Sequence, residues 1–343
     1  MSCTQPWQQK PESAEQMAAL RGTLSSGGES LAVDCALPWV AYRITEGADG
    51  QLTALQGEGQ ISVRVTVEAS SCAFTTYGWS RVARDASTRD GRVVIEDVAT
   101  SGFDMLVYCE ESTVHFVCRW RPGWRTKAAA LLLRDRARLL VRAVLLQYPV
   151  MWAAGLHGRV PLHACGVVPA NAGGMLIVGP SGVGKTTLVG REIAFGGQAT
   201  ADNLCLTDGS SVWGVVEPVR SEQGTGRTVT HGRRESPLHG RVPAVAPTAV
   251  VVLERGEQTT VRVSDPRAAA RALVASTYSA GELRRYWPVH AILALGTARG
   301  EAHPPVAAMA AAICARLPCL TVRLAGIACV RLPELIAESG VAA

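Results

Sequence analysis

Residues 174–188 read GMLIVGPSGVGKTTL, and this stretch decides the fold of the second half of the chain. The apolar run 175–178 is followed by Gly179-Pro-Ser-Gly-Val-Gly-Lys-Thr-Thr187, which fits the pattern GxxxxGK[ST]. A strand, a glycine-rich loop and a helix in this order are the context that the pattern requires. The stretch therefore predicts a phosphate-binding P-loop, in which backbone N–H groups and a helix N-terminus surround phosphate oxygens.

The predicted ligand of this loop is ATP or another NTP, together with Mg²⁺. Lys185 would bridge the β- and γ-phosphates, and the Thr186 hydroxyl would hold Mg²⁺. A glycine-rich turn that binds nothing is the alternative. The residues predicted to contact the nucleotide are Gly179, Pro180, Ser181, Gly182, Val183, Gly184, Lys185, Thr186 and Thr187.

The acids near the loop narrow the class of protein. An ordinary P-loop NTPase has an apolar strand that ends in Asp, and the best match here, 250–254, ends in Glu254 before Arg-Gly. Asp202 instead lies 17 residues after Lys185, beyond the predicted helix 185–195. An acid at that place is expected beside the γ-phosphate.

The apolar pattern predicts a β-rich first part and an α/β second part. Residues 61–67, 92–96 and 114–118 alternate apolar and polar side chains, which predicts a mostly antiparallel sheet. Residues 125–156 predict one or two long helices that Pro149 bends or divides. Beyond residue 160, strands at 174–178, 250–253 and 320–324 alternate with helices at 185–195, 266–275 and 304–316. The predicted units are a flexible arm (1–28), a β-rich domain (29–123), a helical connector (124–158) and a P-loop domain (159–343).

Composition excludes several classes of protein. A chain of 343 residues with 48% hydrophobic and 18% charged residues is not mainly disordered. The net charge of +5 is spread along the chain and does not predict nucleic-acid binding. The oily stretch 138–156 is interrupted by two arginines, Gln147 and Pro149, so no membrane span is expected, and we predict a cytoplasmic protein. The ten cysteines form no CxxC pair and are predicted to be buried thiols.

The segment from Leu162 to Leu206 resembles the catalytic core of the HPr kinase/phosphorylase family. The resemblance rests on Leu162-His-Ala164, the loop GPSGVGKTTL and Thr200-Ala-Asp-Asn203. It is similar above all to the HPr-kinase-like proteins that phosphorylate serine in peptides or small metabolites, and phosphoenolpyruvate carboxykinase is a more distant relative. The resemblance extends loosely over about 160–325, and residues 1–120 match no family that we recognise.

The resemblance implies a role for each matching residue. Lys185 and Thr186 would hold phosphates and Mg²⁺, His163 would line the active site, and Asp202 would take the proton from the acceptor hydroxyl. The family has two adjacent aspartates where this chain has Asp202-Asn203. Asn203 can still ligate Mg²⁺ weakly through its carbonyl, so the change puts metal affinity and any reverse phosphorylase activity in doubt.

Other candidate residues are less specific. Glu217 and Arg220 match a family segment with loose spacing, or form a surface ion pair. Arg233 and Arg234 lie in the irregular stretch 221–247 and would contact an anionic acceptor or the transferring phosphoryl group, or are solvated charges. His163 could instead be a hydrogen-bonded core histidine, and Asp202 a turn carboxylate.

These observations predict an α/β, HPr-kinase-like P-loop kinase with an N-terminal β-rich domain. Its acceptor would be the hydroxyl of a peptide serine or of a small metabolite, with neither nucleic acid nor membrane as a partner, and the protein would form homo-oligomers. Two rivals remain at this point. One is a carboxykinase-like phosphotransferase, and the other is a nucleotide-binding regulatory protein that phosphorylates no acceptor. Asp202 favours the kinase, because a switch needs no acceptor base.

Overall fold

The computed structural model describes residues 19–55, 60–221, 227–229, 232–325 and 331–338. It is a mixed α/β protein with several sheets, as the sequence predicts. The described residues form two β-sheet units with helices packed between them. The glycine-rich loop 179–187, which we call the phosphate loop after its predicted role, lies in the second unit.

The first unit is a nine-stranded sheet. Its strands are β1 (Leu20–Ser26), β2 (Glu29–Cys35), β3 (Thr53–Ala54), β4 (Val63–Glu68), β5 (Ser80–Ala83), β6 (Ala86–Arg89), β7 (Arg92–Ile95), β8 (Phe103–Glu110) and β9 (Thr113–Trp120). They lie in the order β3-β1-β2-β4-β9-β8-β7-β6-β5. All neighbours are antiparallel except β2–β4 and β4–β9, which confirms the prediction of a mostly antiparallel sheet. Alternation sets the faces, because Val63, Val65 and Val67 are all buried on one side of β4.

The prediction of a flexible arm over residues 1–28 is wrong for residues 20–28, which form β1 and the turn after it. Residues 1–18 lie outside the described residues. The β1–β2 hairpin turns at Gly27, where φ is +61° and a Cβ would stand 2.3 Å from Leu206 Cδ1. Gly27 N donates to Gly214 O at 2.8 Å. The buried Glu29 pairs with Arg159 at 2.5 Å, so this hairpin is docked on the second unit.

Four helices accompany the first sheet. They are α1 (Pro38–Gly47), α2 (Trp124–Leu132), α3 (Arg134–Arg142) and α4 (Tyr148–Leu156), with a 3₁₀ turn at Val98–Thr100 and a π-helical turn at Ala143–Gln147. Helices α1 and α4 pack directly against the sheet. The predicted division at Pro149 is not found: the stretch Arg134–Leu156 stays helical through Pro149, with the π-helical turn directly before α4, and the helical geometry is interrupted at Leu133 instead. Among described residues, only the stretch Arg134–Leu156 is long and apolar enough to cross a membrane, and 83% of its most apolar window is buried in the protein.

The second unit contains a six-stranded, a four-stranded and a two-stranded sheet. The strands are β10 (Val160–Leu162), β11 (Ala164–Val168), β12 (Gly174–Val178), β13 (Gln198–Ala199), β14 (Cys205–Thr207), β15 (Val212–Gly214), β16 (Val219–Ser221), β17 (Arg234–Ser236), β18 (Ala244–Val245), β19 (Pro247–Arg255), β20 (Thr260–Val263) and β21 (Cys319–Leu324). The sheet orders are β13-β11-β12-β19-β21-β20, β10-β14-β15-β18 and β16-β17. The helices are α5 (Lys185–Ala194), α6 (Pro266–Ser279), α7 (Gly281–Thr297), α8 (Val306–Arg316) and α9 (Leu332–Glu338).

The six-stranded sheet lies between two helical layers. Its centre is parallel, with β12 beside β19 and β19 beside β21. Leu176 and Val178 face α6 and α8, whereas Ile177 faces α5 and α9. A parallel strand covered on both faces is apolar at every position, which is what residues 174–178 show.

Helix α7 belongs to the core of the first unit although it follows the phosphate loop in sequence. Tyr286 and Leu293 are buried with residues of the nine-stranded sheet. A Cβ at Gly296 would stand 2.4 Å from Val93 Cγ2, so α7 and β7 approach closely. The segment 159–343 therefore contributes to both cores.

The cysteines are thiols in the part of the chain that the structure describes. Six of them are buried, Cys109 is half-buried and Cys72 is exposed. The prediction of buried thiols is wrong for Cys72, and Cys3 and Cys329 lie outside the described residues.

Candidate functional site

The phosphate loop joins β12 to α5 at the carboxyl end of the sheet's parallel centre. Gly182 and Gly184 have φ of +80° and +117°, a region that favours glycine. At Gly179 a Cβ would stand 2.9 Å from Val183 Cγ1 and 3.0 Å from Leu253 O, so no side chain fits. Among the described residues no side chain caps the first turn of α5, which leaves its N–H groups open to an anion.

Lys185 lies under the loop and is only 5% exposed. Its Nζ donates to Gly179 O at 2.6 Å and to Pro180 O at 3.2 Å. Burial lowers its pKa, and the charges of Asp202 and Glu282 oppose that change. An ammonium held this deep, with no ion pair to a carboxylate among the described residues, is suited to an anionic ligand.

Asp202 is buried beside Thr186, in the segment that follows β13. Burial raises its pKa from 3.8 to about 6, with Glu217 adding to the rise, while hydrogen bonds from Thr186 and the backbone of Arg220 lower it. Its Oδ1 is buried and has no hydrogen-bond partner among the described residues. An unpaired carboxylate oxygen at this depth is suited to a proton or a cation.

His163 contacts Asn203, the residue after the acid. Its Nε2 lies 2.6 Å from Asn203 Oδ1, and its Nδ1 lies 2.8 Å from Ser276 Oγ. Burial and the charge of Lys185 lower its pKa to about 4. His163 is therefore a neutral imidazole that donates to Asn203 and orients that amide.

These side chains line one polar cleft of about 90 Å³. Its walls are formed by His163, Ser181, Thr186, Asp202, Asn203, Arg220, Arg233, Ala280, Gly281 and Glu282. The cleft brings together every predicted catalytic and metal residue except Lys185, which lies beneath it, and Glu254 is not among its walls.

The buried Glu217 pairs with the half-buried Arg220 at 3.2 Å, so the alternative of a surface ion pair is wrong. Arg220 also pairs with Glu282 at 3.2 Å. Burial opposes its charge, yet these two carboxylates hold the pKa of Arg220 above its usual value. Gln147 and Arg142 reach Glu217 from the connector helices, at 3.3 Å and 3.7 Å.

The two neighbouring arginines of the irregular stretch differ. Arg233 lines the cleft, and its guanidinium has neither a hydrogen bond nor an ion pair to another described residue. Arg234 begins β17, is exposed and does not line the cleft. The described part of 221–247 contains β17 and β18, whereas His231 lies outside it.

Sequence reasoning missed Ser276 and the turn at 280–282. These residues are more than 70 positions from Asp202 and follow no motif, so only the tertiary fold brings them to the cleft.

The oxygens present suit Mg²⁺, which prefers hard oxygen ligands. Asp202 Oδ1 is unpaired and the Thr186 hydroxyl contacts the same carboxylate. The carbonyl of Asn203 is engaged by His163, which makes it the weaker of the two predicted ligands. The described residues contain no group of three His, Cys, Asp or Glu side chains that could hold a metal alone, so phosphate oxygens would complete such a site.

No protein-family model matches this chain, and a comparison with curated proteins finds no match.

Proposed function

We propose that this protein is a P-loop, HPr-kinase-like kinase that transfers the γ-phosphoryl group of ATP, or of another NTP, to a hydroxyl group. The observation that carries the proposal is the pairing, in one cleft, of the phosphate loop with a buried carboxylate whose Oδ1 is unpartnered among the described residues. A phosphoryl transfer requires mainly positioned charge and a base for the attacking hydroxyl.

The phosphate side of the cleft supplies fixed positive charge. Lys185 and the open N-terminus of α5 would hold the β- and γ-phosphates, and Arg233 is a further cation across the cleft. Bound Mg²⁺ would neutralise phosphate charge, held by Thr186 and, weakly, by Asn203.

The acceptor side depends on Asp202. A pKa of about 6 leaves the carboxylate mostly ionised at neutral pH yet basic enough to take a proton from a hydroxyl. His163 is neutral there and would orient Asn203 instead of exchanging protons. The acceptor would be a peptide serine or a small metabolite.

The regulatory alternative is less well supported. A nucleotide switch needs the phosphate loop but no buried base beside it, whereas the acid here lies in the cleft at a raised pKa. The carboxykinase-like alternative shares the loop and is separated only by the acceptor. A cytoplasmic location and homo-oligomers remain predictions.

Calorimetric titration with Mg·ATP tests the proposal. Lys185→Met removes the buried ammonium, and losing a charge-assisted hydrogen bond should weaken binding by about 10- to 100-fold. Lys127→Met is the matched control, because Lys127 is exposed on α2 and should bind as the wild type does. Equal affinity of the two variants would contradict the assignment of the loop.

A further inference from the structure

Helices α1 and α3, which belong to the first unit, make ion pairs with the part of the second unit that carries Arg220 and Arg233. We call β16, β17 and Arg233 the cleft hairpin, because Arg220 in β16 and Arg233 just before β17 both line the cleft. Glu235 in β17 pairs with Arg142 of α3 at 2.9 Å. Next to the hairpin, the exposed Arg227 pairs with Glu46 of α1 at 2.9 Å.

The deepest of these contacts is made by Asp49, just after α1. Its Oδ2 accepts from Arg241 Nη2 at 2.6 Å and from Leu238 N at 3.1 Å. The side chains of Asp49 and Arg241 are 2% and 9% exposed. A buried pair of this kind is sensitive to loss of one partner, because the other charge is then left without compensation.

Arg241 extends this contact to both sides of the acid. It donates to Thr200 O at 3.1 Å, two residues before Asp202, and to Glu217 O at 2.8 Å, three residues before Arg220. Arg241 therefore hydrogen-bonds both to the backbone just before Asp202 and to the backbone just before the cleft hairpin. Its orientation depends on the carboxylate of Asp49.

We propose that Asp49 is a positioning residue: through Arg241 it fixes Asp202 and the cleft hairpin with Arg233 relative to the phosphate loop. This inference rests on the proposed function and extends it, because it gives the first unit a part in building the site. The first unit then contributes no group to the reaction and holds the charged groups of the second unit in place.

Asp49→Asn tests this with little change in shape. Position 49 has φ of +53°, which Asn tolerates as well as Asp does. Glu29→Gln is the matched control, because Glu29 is also a buried acid of the first unit, paired with Arg159 at 2.5 Å but away from the cleft. Hydrogen exchange measures the backbone at 199–221 and 232–241. The affinities for Mg·ADP and for Mg·ADP with aluminium fluoride measure the site without any acceptor.

In Asp49→Asn we expect exchange in both segments to be faster by about tenfold or more. The affinity for Mg·ADP should stay within about twofold of the wild-type value. The affinity for Mg·ADP with aluminium fluoride, which mimics the transferring phosphoryl group, should fall by about tenfold. Arg233→Ala should reproduce the loss of affinity without the change in exchange. Glu29→Gln should show neither effect, whatever its stability.

Two results would overturn the inference. One is an Asp49→Asn protein whose exchange and aluminium fluoride affinity match those of Glu29→Gln. The other is faster exchange with unchanged aluminium fluoride affinity, which would make the contact structural only. If Asp49→Asn does not fold, Arg241→Lys should give the same pattern, because lysine keeps the charge beside Asp49 but cannot donate to Thr200 O and Glu217 O together. No effect in that variant refutes the inference. A wild-type protein that fails to bind Mg·ADP would instead refute the proposed function, and the inference with it.

Discussion

Replacing Asp202 by Asn should stabilise the protein at alkaline pH while removing the proposed base. Burial, with the charge of Glu217, raises the pKa of Asp202 from 3.8 to about 6. This rise in pKa means that the ionised form of Asp202 makes folding about 3 kcal/mol less favourable than the protonated form does. Folding therefore favours the protonated acid, and the ionised acid opposes folding.

The sign of this effect depends on pH. Well below pH 4 Asp202 is protonated in both the folded and the unfolded chain, so the folded protein keeps the full stability of the protonated form. That contribution of the protonated acid is lost as the pH rises through about 6. Asn carries no charge at any pH, so Asp202→Asn should exceed the wild type by up to about 3 kcal/mol at pH 8 and by nothing below pH 4.

Thermal unfolding at several pH values measures the difference. For 343 residues, at roughly 2.1 cal/mol/K of unfolding entropy per residue, the gain at pH 8 is about 4 °C in Tm. Asp104→Asn is the control, because Asp104 is equally buried but pairs with Arg121, so its loss should lower Tm. An Asp202→Asn protein that melts below the wild type at pH 8 would refute the reasoning, as would a difference that does not change with pH.

Three further predictions concern the chemistry of the cleft. The value of kcat/KM for the acceptor should rise with pH through about 6 and then level off, because Asp202 must be ionised to take a proton; the same limb in Asp202→Asn would place the base elsewhere. Arg233→Ala should lower phosphoryl transfer by about 10²-fold or more, the scale of one lost charge-stabilising group, while Arg234→Ala should match the wild type in steady-state kinetics. Equal rates for the two variants would contradict a role for Arg233 that Arg234 does not share. Asn203→Asp should tighten Mg²⁺ binding in the presence of ADP by roughly tenfold, since ligand charge tunes affinity, and a titration showing less than a twofold change would mean that position 203 does not face the metal.

The local motif made the phosphate side of the cleft predictable. The spacing of glycines, Lys185 and Thr186 specifies a loop between a strand and a helix, and that context is confirmed. Asp202 and His163 were found because they lie within about 25 residues of the loop in a recognisable order. The burial of Lys185 was missed, since the motif does not say how deep its lysine lies.

The rest of the cleft depends on contacts between distant parts of the chain. Ser276 reaches His163 and Gly179 because α6 packs against β11 and β12, and Glu282 reaches the cleft because α7 follows α6 after a one-residue turn. The sequence did not show which of Arg233 and Arg234 faces the cleft. The structure separates them, because neighbouring residues of an extended chain point to opposite sides. The hairpin at Gly27-Gly28 was mistaken for a flexible arm because its turn is Gly/Ser-rich, although strand-like residues flank a two-residue glycine turn.

The central claim is that this cleft transfers a phosphoryl group from a nucleotide to a hydroxyl. The most direct measurement is mass spectrometry of peptides and metabolites from a cell extract after incubation with Mg·ATP and either the wild-type protein or Asp202→Asn. The account predicts a species that gains the mass of one phosphoryl group with the wild type and not with the variant, although both proteins bind Mg·ATP. Conversion of ATP to ADP and phosphate at equal rates by both proteins, with no phosphorylated species, would contradict it.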